Sequence, residues 1–416
     1  MGLSNCASKT VIVVSLPGFF ALTMCHTLGI SAIGVGLAAL LCLWGGIDGV
    51  HTQTVENVTS LYTGHIQIHA KGFHKRMKLE KAVPDPKKVA EILKSNPLVK
   101  NFSYKIKTDA LAGTAEQSSG VLVFGVDPLT EKAVTNLQDY ITEGEYLGAE
   151  DHKSILLGHK LMERLEVKLN DKIVVLTQEK GGAMGGMAYR VKGVFKTGSD
   201  FLDEATVWMT FESAKNVLAL DGEISEITIR IHNIKDLETV KNDILRELGP
   251  EADAYEVMTW YEVAPEVQGF IEFDNVIVTG VLLVVALVIS IGVMNTILMS
   301  TFERTKEFGV LKAIGMRPWQ ITWLVVLEVF FLDLIGVFSG IVLWAAITFY
   351  FRDGISIAQY TESLSSAFMP TSIVPGIETH HFWYCVQLML FLPIIISFFA
   401  AVRAGRLETV KAIYHS

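Results

Sequence analysis

Apolar positions along the 416 residues gather into four long tracts, separated by stretches where polar and apolar residues alternate. The first tract carries no charge from Thr10 to Ile47, well beyond the ~20 residues a membrane-spanning helix needs. Pro17 and His26 interrupt its first half, so Leu28–Ile47 is the cleaner span. Further tracts run from Asn275 to Phe302, from Trp319 to Phe351 with two acids inside, and from Phe382 to Val402. Four spans place both termini on one side. The expected partition is an N-terminal segment 1–27, spans at 28–50, 272–302, 319–351 and 382–402, a domain at 51–271, loops at 303–318 and 352–381, and a tail at 403–416.

Within 51–271 the periodicity changes. His65-Ile66-Gln67-Ile68-His69 alternates as a half-buried strand does, and Val121–Val126, Lys172–Leu176 and Ala205–Met209 are further strands. Pro86–Ser95, Glu212–Leu218 and Asp236–Leu248 read as amphipathic helices. Lys180-Gly181-Gly182-Ala183-Met184-Gly185-Gly186-Met187 lies between two strands and reads as a flexible hairpin tip. The expected fold class is an α-helical integral membrane protein of four transmembrane helices with a large mixed α/β domain outside the cytoplasm.

Composition agrees. Half of the residues are hydrophobic, mean hydropathy is +0.39 and 19% are charged, below the roughly one quarter of an ordinary soluble chain. Residues 51–271 hold 26 of the 35 Lys+Arg and 33 of the 44 Asp+Glu. Orientation follows from the basic residues beside the spans. Arg304, Lys306, Lys312 and Arg317 follow span two, and Arg403, Arg406 and Lys411 follow span four. Between spans three and four stands Arg352 alone. The 303–318 loop and the tail are therefore expected in the cytoplasm, with 51–271 and 352–381 outside. The first tract is too long for a cleaved signal, whose apolar core is ~7–15 residues, so a retained helix is expected. Cys6, Cys25, Cys42 and Cys385 all lie outside 51–271, which leaves that domain without an internal disulfide.

Candidate chemistry is sparse. The chain contains no Gly-x-x-x-x-Gly-Lys-Ser/Thr phosphate loop, no His-Glu-x-x-His, no Gly-x-Ser-x-Gly and no Cys-x-x-Cys. No catalytic residue, metal site or cofactor of its own is expected, and nothing points to nucleic acid. His65 and His69 share a strand face, but without a third ligand they read as solvated or structural. The loop Ser300–Met316 stands out. As one continuous helix its charges would point nearly all round, and a bend at Gly309 would reconcile the pattern.

Glu303-Arg304-Thr305-Lys306-Glu307-Phe308-Gly309-Val310-Leu311-Lys312-Ala313-Ile314-Gly315 closely resembles the signature of FtsX-like permease domains, a family that includes MacB-type exporters and Lol-type lipoprotein-releasing permeases. The span order matches too, as do Gly64–Ile68, Ile155–Gly158 followed by Asn170-Asp171, and the closing Ala404–Ala412. The resemblance implies a MacB-like periplasmic core domain in the bacterial inner membrane. It also implies a coupling helix that docks on a separate ABC ATPase, where ATP and Mg bind. Carried over, Glu303, Arg304, Glu307, Phe308, Gly309, Leu311, Lys312 and Gly315 are the expected contacts. Relatives usually carry a basic, aromatic stretch before span one, whereas Met1–Thr23 here is apolar with one basic residue.

Span two has 28 uncharged residues, about 42 Å of helix against a core of ~30 Å, and so reads as a lever tied to the loop. In span three, Glu328 and Asp333 are costly in lipid and should face protein or water, as an intramembrane polar site or as helix–helix hydrogen bonds. Gly336 and Gly340 form a small-x-x-x-small packing face. Four helices do not enclose a path, so a second permease copy, identical or homologous, is expected among membrane lipids. For substrate, the hairpin residues Gly182, Met184, Gly185 and Met187 occupy a place like the chaperone-gripping hairpin of Lol-type permeases, which implies a periplasmic lipoprotein chaperone as partner. A MacB-like exporter of peptides or amphiphiles and an FtsX-like signalling module controlling a cell-wall hydrolase are the alternatives.

Overall fold

The computed structural model describes residues 4–75, 81–356 and 372–405, with side chains at 27–75, 81–356 and 372–402. Residues 51–271 form one compact unit, and the described residues on either side of that stretch form another. The tail from 406 onward and its motif lie outside the described residues.

The 51–271 unit is built on a ten-stranded sheet. Its strands are β1 (Ile66–Ala70), β2 (Val99–Gly113), β3 (Ser118–Val126), β4 (Ile141–Gly144), β5 (Ser154–Gly158), β6 (Lys172–Gln178), β7 (Met184–Phe195), β8 (Thr206–Thr210), β9 (Glu226–Ile231) and β10 (Tyr255–Thr259). They lie in the order β10-β1-β9-β2-β3-β8-β5-β7-β4, with β6 pairing both β2 and β7. The β3/β8 and β5/β7 pairs are parallel. Two cores result. In one, Val89, Ile92 and Leu93 of the Pro86–Ser95 helix and Val240 and Ile244 of the Leu237–Leu248 helix join Ile66, Ile68, Ile227 and Ile229. In the other, Ala214 and Val217 of the Phe211–Leu218 helix join Ile155, Leu157, Ile173 and Val175. The Pro86–Ser95 helix starts where the sequence dictates: Asp85 Oδ1 accepts from the backbone N–H of Lys87 and Lys88, and proline occupies the first turn.

The second unit is helical, with α1 (Ser4–Val58), α2 (Pro265–Glu303), α3 (Thr305–Ala313), α4 (Pro318–Tyr350) and α5 (Thr379–Gly405). Thr27–Thr63, Pro265–Glu303, Pro318–Tyr350 and Thr379–Val402 are long and apolar enough to cross a membrane. Ile33, Leu37 and Leu41 of α1 pack with Leu282 and Ala286 of α2, Val325 and Val329 of α4 and Met389 of α5. Their outward neighbours are equally apolar, including Val276, Val284, Phe331, Phe338 and Phe399, as expected of helices that are apolar all round.

Helix ends differ from the expected boundaries. The segment 1–27 is helical from Ser4 and continuous with the first span; proline inside an apolar helix removes one hydrogen bond without offering the backbone another partner. At its other end α1 passes residue 50 and reaches Val58, then a wider turn at Thr59–Thr63 ends at Gly64. Gly64 has φ +63°, and a Cβ there would lie 2.3 Å from Thr228 Cγ2, so this is the first residue fitted to stop the helix. On the C-terminal side of the domain, α2 starts at Pro265 rather than 272, and α5 starts at Thr379 rather than 382. Part of the expected 352–381 loop is a short ribbon pairing Ile355-Ser356 with Ser372-Ile373.

Candidate functional site

The signature loop folds as α3, and its break lies at Arg304 instead of Gly309. Gly309 is buried in the middle of α3, while Arg304 (φ −94°, ψ 13°) separates α2 from α3. The Arg304 guanidinium fixes that corner. Its Nη1 donates to both carboxylate oxygens of Glu328 on α4, at 3.0 and 2.9 Å, and its Nε donates to Glu307 Oε2 at 2.9 Å. The guanidinium also sits 5.4 Å from the centre of the Phe308 ring. Burial opposes the charge on Arg304, but the hydrogen bonds and negative charges of Glu307 and Glu328 outweigh it and raise its pKa. Charge-assisted hydrogen bonds to two carboxylates, Glu328 through Nη1 and Glu307 through Nε, hold the guanidinium in one orientation.

The eight expected docking residues therefore divide. Phe308 and Gly309 are buried, Arg304, Leu311 and Lys312 are half-buried, and Glu303, Glu307 and Gly315 are exposed. Phe308 and Leu311 pack into the helical core. Gly315 has φ +106° and nothing within 4 Å of where a Cβ would stand, so it is there to turn the chain into α4 rather than to admit a neighbour. The exposed stripe of α3 is Lys306, Glu307, Val310 and Ala313, at the three- and four-residue spacing of one helix face, continued by Ile314 just past its end. Val310 is 56% and Ile314 74% exposed. Sequence reasoning missed these two, although counting turns onward from Lys306 and Glu307 leads to both.

Farther along α4, Gly336 and Gly340 meet α1. A Cβ on Gly340 would lie 2.7 Å from Gly34 O, and one on Gly336 2.8 Å from Ile33 Cβ. Glu328 and Asp333 part company. Glu328 is held by Arg304, whereas Asp333 is fully enclosed and neither carboxylate oxygen has a hydrogen-bond partner among the described residues.

In the 51–271 unit, the expected hairpin is a strand pair with a short tip. Gln178 pairs with Met184 and Val175 with Met187, so the turn is only 179–183. Met184 is 69% exposed, while Met187 packs partly onto the core and Gly185 is buried. Three residues apart on a strand means opposite faces, so the two methionines do not form one surface. Met184 instead shares its exposure with Val174, Leu176 and Leu111. His65 and His69 are both buried: the Ile231 N–H donates to His65 Nδ1 at 3.0 Å, and His69 contacts Gln67 Oε1 at 3.0 Å. They are structural histidines. Sequence reasoning also missed Glu378, His380 and His381, whose potential ligand atoms lie within 4.8 Å of one another.

Two family models match this chain: the MacB-like periplasmic core domain over residues 27–247 and the FtsX-like permease C-terminal domain over residues 279–409. The chain belongs to the FtsX-like, MacB-type family of ABC transporter permeases. Similar proteins include an uncharacterized ABC transporter permease of Methanocaldococcus jannaschii, 27% identical across 54% of this chain and 53% of its own length. The lipoprotein-releasing system transmembrane protein LolC of Neisseria meningitidis is 22% identical across 57% and 58%. The macrolide export ATP-binding/permease protein MacB of Agrobacterium fabrum is 23% identical across 91% and 56%. The chain thus spans about half the length of these relatives. The solved periplasmic region of MacB from Actinobacillus actinomycetemcomitans aligns at a TM-score of 0.37 and 12% identity, over 52% of this chain and 97% of that one. In this permease, α3 and its brace fall inside the FtsX-like match, and the β6/β7 hairpin falls inside the MacB-like one.

Proposed function

We propose that this permease docks a separate ABC ATPase through the exposed stripe of α3 and carries the ATPase's movement along α2 to the 51–271 domain. The observation that supports it is the two-faced character of α3. One face is tied into the helical unit by Phe308 and the Arg304–Glu328 contact, and the other presents Val310 and Ile314 between charges. α2 is one helix of 39 residues, about 58 Å, long enough to transmit a displacement made at its Arg304 end. ATP and Mg bind in the partner; this chain supplies the lever. A second permease copy, identical or homologous, completes the transporter in the bacterial inner membrane, with the termini and α3 cytoplasmic and 51–271 periplasmic.

For substrate we favour extraction of lipoproteins and their hand-off to a periplasmic chaperone, which would grip the exposed Leu111, Val174, Leu176 and Met184 beside the β6/β7 tip. The LolC relative supports this reading. Export of peptides or amphiphiles is the second reading, supported by the MacB relative that aligns with 91% of the chain.

The test is purification of the intact protein in mild detergent with whatever accompanies it. Val310→Asp combined with Ile314→Asp is expected to lose a co-purifying phosphate-loop ATPase while the melting temperature stays put. Retention of the ATPase by that variant would rule out α3 as the docking element and leave it a headgroup anchor. Lipoprotein or chaperone in the wild-type sample, lost on Leu176→Asp, would support the first substrate reading over the second.

A further inference from the structure

A second cluster of chemistry lies where α1 and α5 meet the Val374–Glu378 segment, apart from α3 and its Arg304–Glu328 brace. Its position is tightly set. Gly376 N–H donates to Gly45 O at 3.0 Å, and a Cβ on Gly49 would lie 2.3 Å from Val374 O, so this segment runs directly on α1. Asp48, on α1 and only 4% exposed, then organises the start of α5. Its Oδ2 accepts from the backbone N–H of Glu378 and from His381 Nδ1, each at 2.9 Å, and its Oδ1 is also 2.9 Å from that nitrogen. The Trp44 ring lies 4.2 Å from the His381 ring, centre to centre.

A carboxylate on Nδ1 puts the imidazole proton there and leaves the Nε2 lone pair of His381 available. That is the device by which proteins prepare a histidine to bind a metal: the second nitrogen is held by a buried acid, which fixes the tautomer and raises ligand basicity. Beside it, His380 Nδ1 stands 3.1 Å from Glu378 Oε2, close to the roughly 3.3 Å separating neighbouring donors around a zinc ion with ~2.0–2.1 Å bonds. The His380 and His381 rings are 3.8 Å apart. Glu378, His380 and His381 bring their ligand atoms within 4.8 Å of one another. Two imidazoles and a carboxylate form a donor set suited to zinc and copper rather than to the oxygen-seeking calcium and magnesium.

We propose that Glu378, His380 and His381 bind one zinc-class divalent ion, with Asp48 as the orienting acid behind His381. Glu378 and His380 are open to solvent, so water fills the remaining coordination position and the ion exchanges readily. Because Asp48 belongs to α1 and the ligands lie at and just before the start of α5, an occupied site strengthens the tie between α1 and that helix start. None of this depends on how the permease meets its ATPase.

The test uses the full chain in detergent, with any affinity tag removed, dialysed against zinc chloride with magnesium in excess. One zinc per chain is expected, and magnesium should not displace it. His380→Ala and Glu378→Gln change exposed side chains, so the fold is untouched, and each should weaken zinc binding at least about tenfold. Asp48→Asn should weaken it by about 10–100-fold, the usual effect of removing an orienting partner. Cobalt(II) in place of zinc should give visible absorption bands that His380→Ala removes. Substoichiometric zinc in the wild type, or His380→Ala binding as wild type does, would overturn the site. Asp48→Asn with wild-type affinity would overturn the orienting role.

Discussion

In the 51–271 domain, Lys105 is fully enclosed and makes no hydrogen bond, but the Glu131 carboxylate lies 3.0 Å away as its counter-charge; in the helical unit, Asp333 is just as enclosed and has neither a hydrogen bond nor an ion pair among the described residues. The contrast extends outward from each residue. Around Lys105, the Glu131 Oε1 also accepts from Thr135 Oγ1 at 3.0 Å, and Trp208 lies 5.6 Å under the ammonium. Lys107 donates to Tyr62 Oη at 2.8 Å, and Glu226 accepts from Thr228 at 2.7 Å. Burial pushes the Glu226 carboxyl up, but Lys107, His69 and Lys105 together pull it below its ordinary value, so it stays ionised. The domain buries its charges as a mutually compensated set. The helical unit pairs Arg304 with Glu328 but leaves Asp333 alone. A compensated set is intolerant of losing one member, whereas a lone buried acid is a burden that stability would be better without.

The largest effect should therefore come from splitting the set. Glu131→Met leaves the Lys105 ammonium enclosed without a counter-charge, and a loss of about 3–5 kcal/mol is expected in denaturant unfolding of the full chain. Adding Lys105→Met should return most of it. A single variant as stable as the wild type would break the comparison at its stronger end.

Titration should separate the two regions next. Burial, then the nearby Arg230 charge, hold the His65 imidazole down at about 4 against an ordinary 6.5. The unfolded chain takes up that proton first as pH falls. The contribution is therefore complete above pH 6.5 and is lost as pH falls from 6.5 to about 4, by roughly 3 kcal/mol at most. His65→Gln should flatten the stability–pH profile across that window, whatever it does to stability at neutral pH. An unchanged slope would place the acid sensitivity elsewhere.

How much of this was legible beforehand differs between the regions for the same physical reason. Strands such as Lys172–Gln178 announce themselves, since Ile173, Val175 and Thr177 are buried in strict alternation. The Pro86–Ser95 helix carries its own cap and proline. Spans are visible because lipid demands long apolar runs. What sequence did not reveal depends on partners distant along the chain. Lys105 pairs across the ladder with Glu226, and nothing local marks that lysine as enclosed. Arg304 reads as a docking residue from its loop, and only Glu328, 24 positions on, shows that it also braces the α2–α3 corner. Met184 and Met187 read as parts of a flexible tip, and only the register of the two strands places both on the ladder and on opposite faces. His381 is oriented by Asp48, more than 300 residues earlier.

Smaller effects sharpen the helical side. At Gly340 a Cβ would stand 2.7 Å from Gly34 O and 3.0 Å from Leu37 Cβ. The first of these is backbone, which has nowhere to rotate. Gly340→Ala should part α1 and α4 and lower stability by about 2 kcal/mol. Gly292→Ala is the control, because a Cβ there meets nothing within 4 Å, and it should be close to neutral. Equal effects at the two glycines would mean that the α1–α4 seam has room to spare.

The last test asks whether Asp333 is the burden its surroundings make it. Asp333→Val keeps a side chain of similar bulk in the same apolar slot, beside the buried Val329 and Val337, and removes two oxygens that bond to nothing. The expected change is a gain of about 1 kcal/mol, opposite in sign to the loss at Glu131. A gain in stability joined to loss of ATPase stimulation by substrate would mark Asp333 as retained for the transport cycle at a cost to the resting fold. A loss of stability would show that Asp333 has a partner in the intact assembly, and the two regions would then bury charge by one rule instead of two.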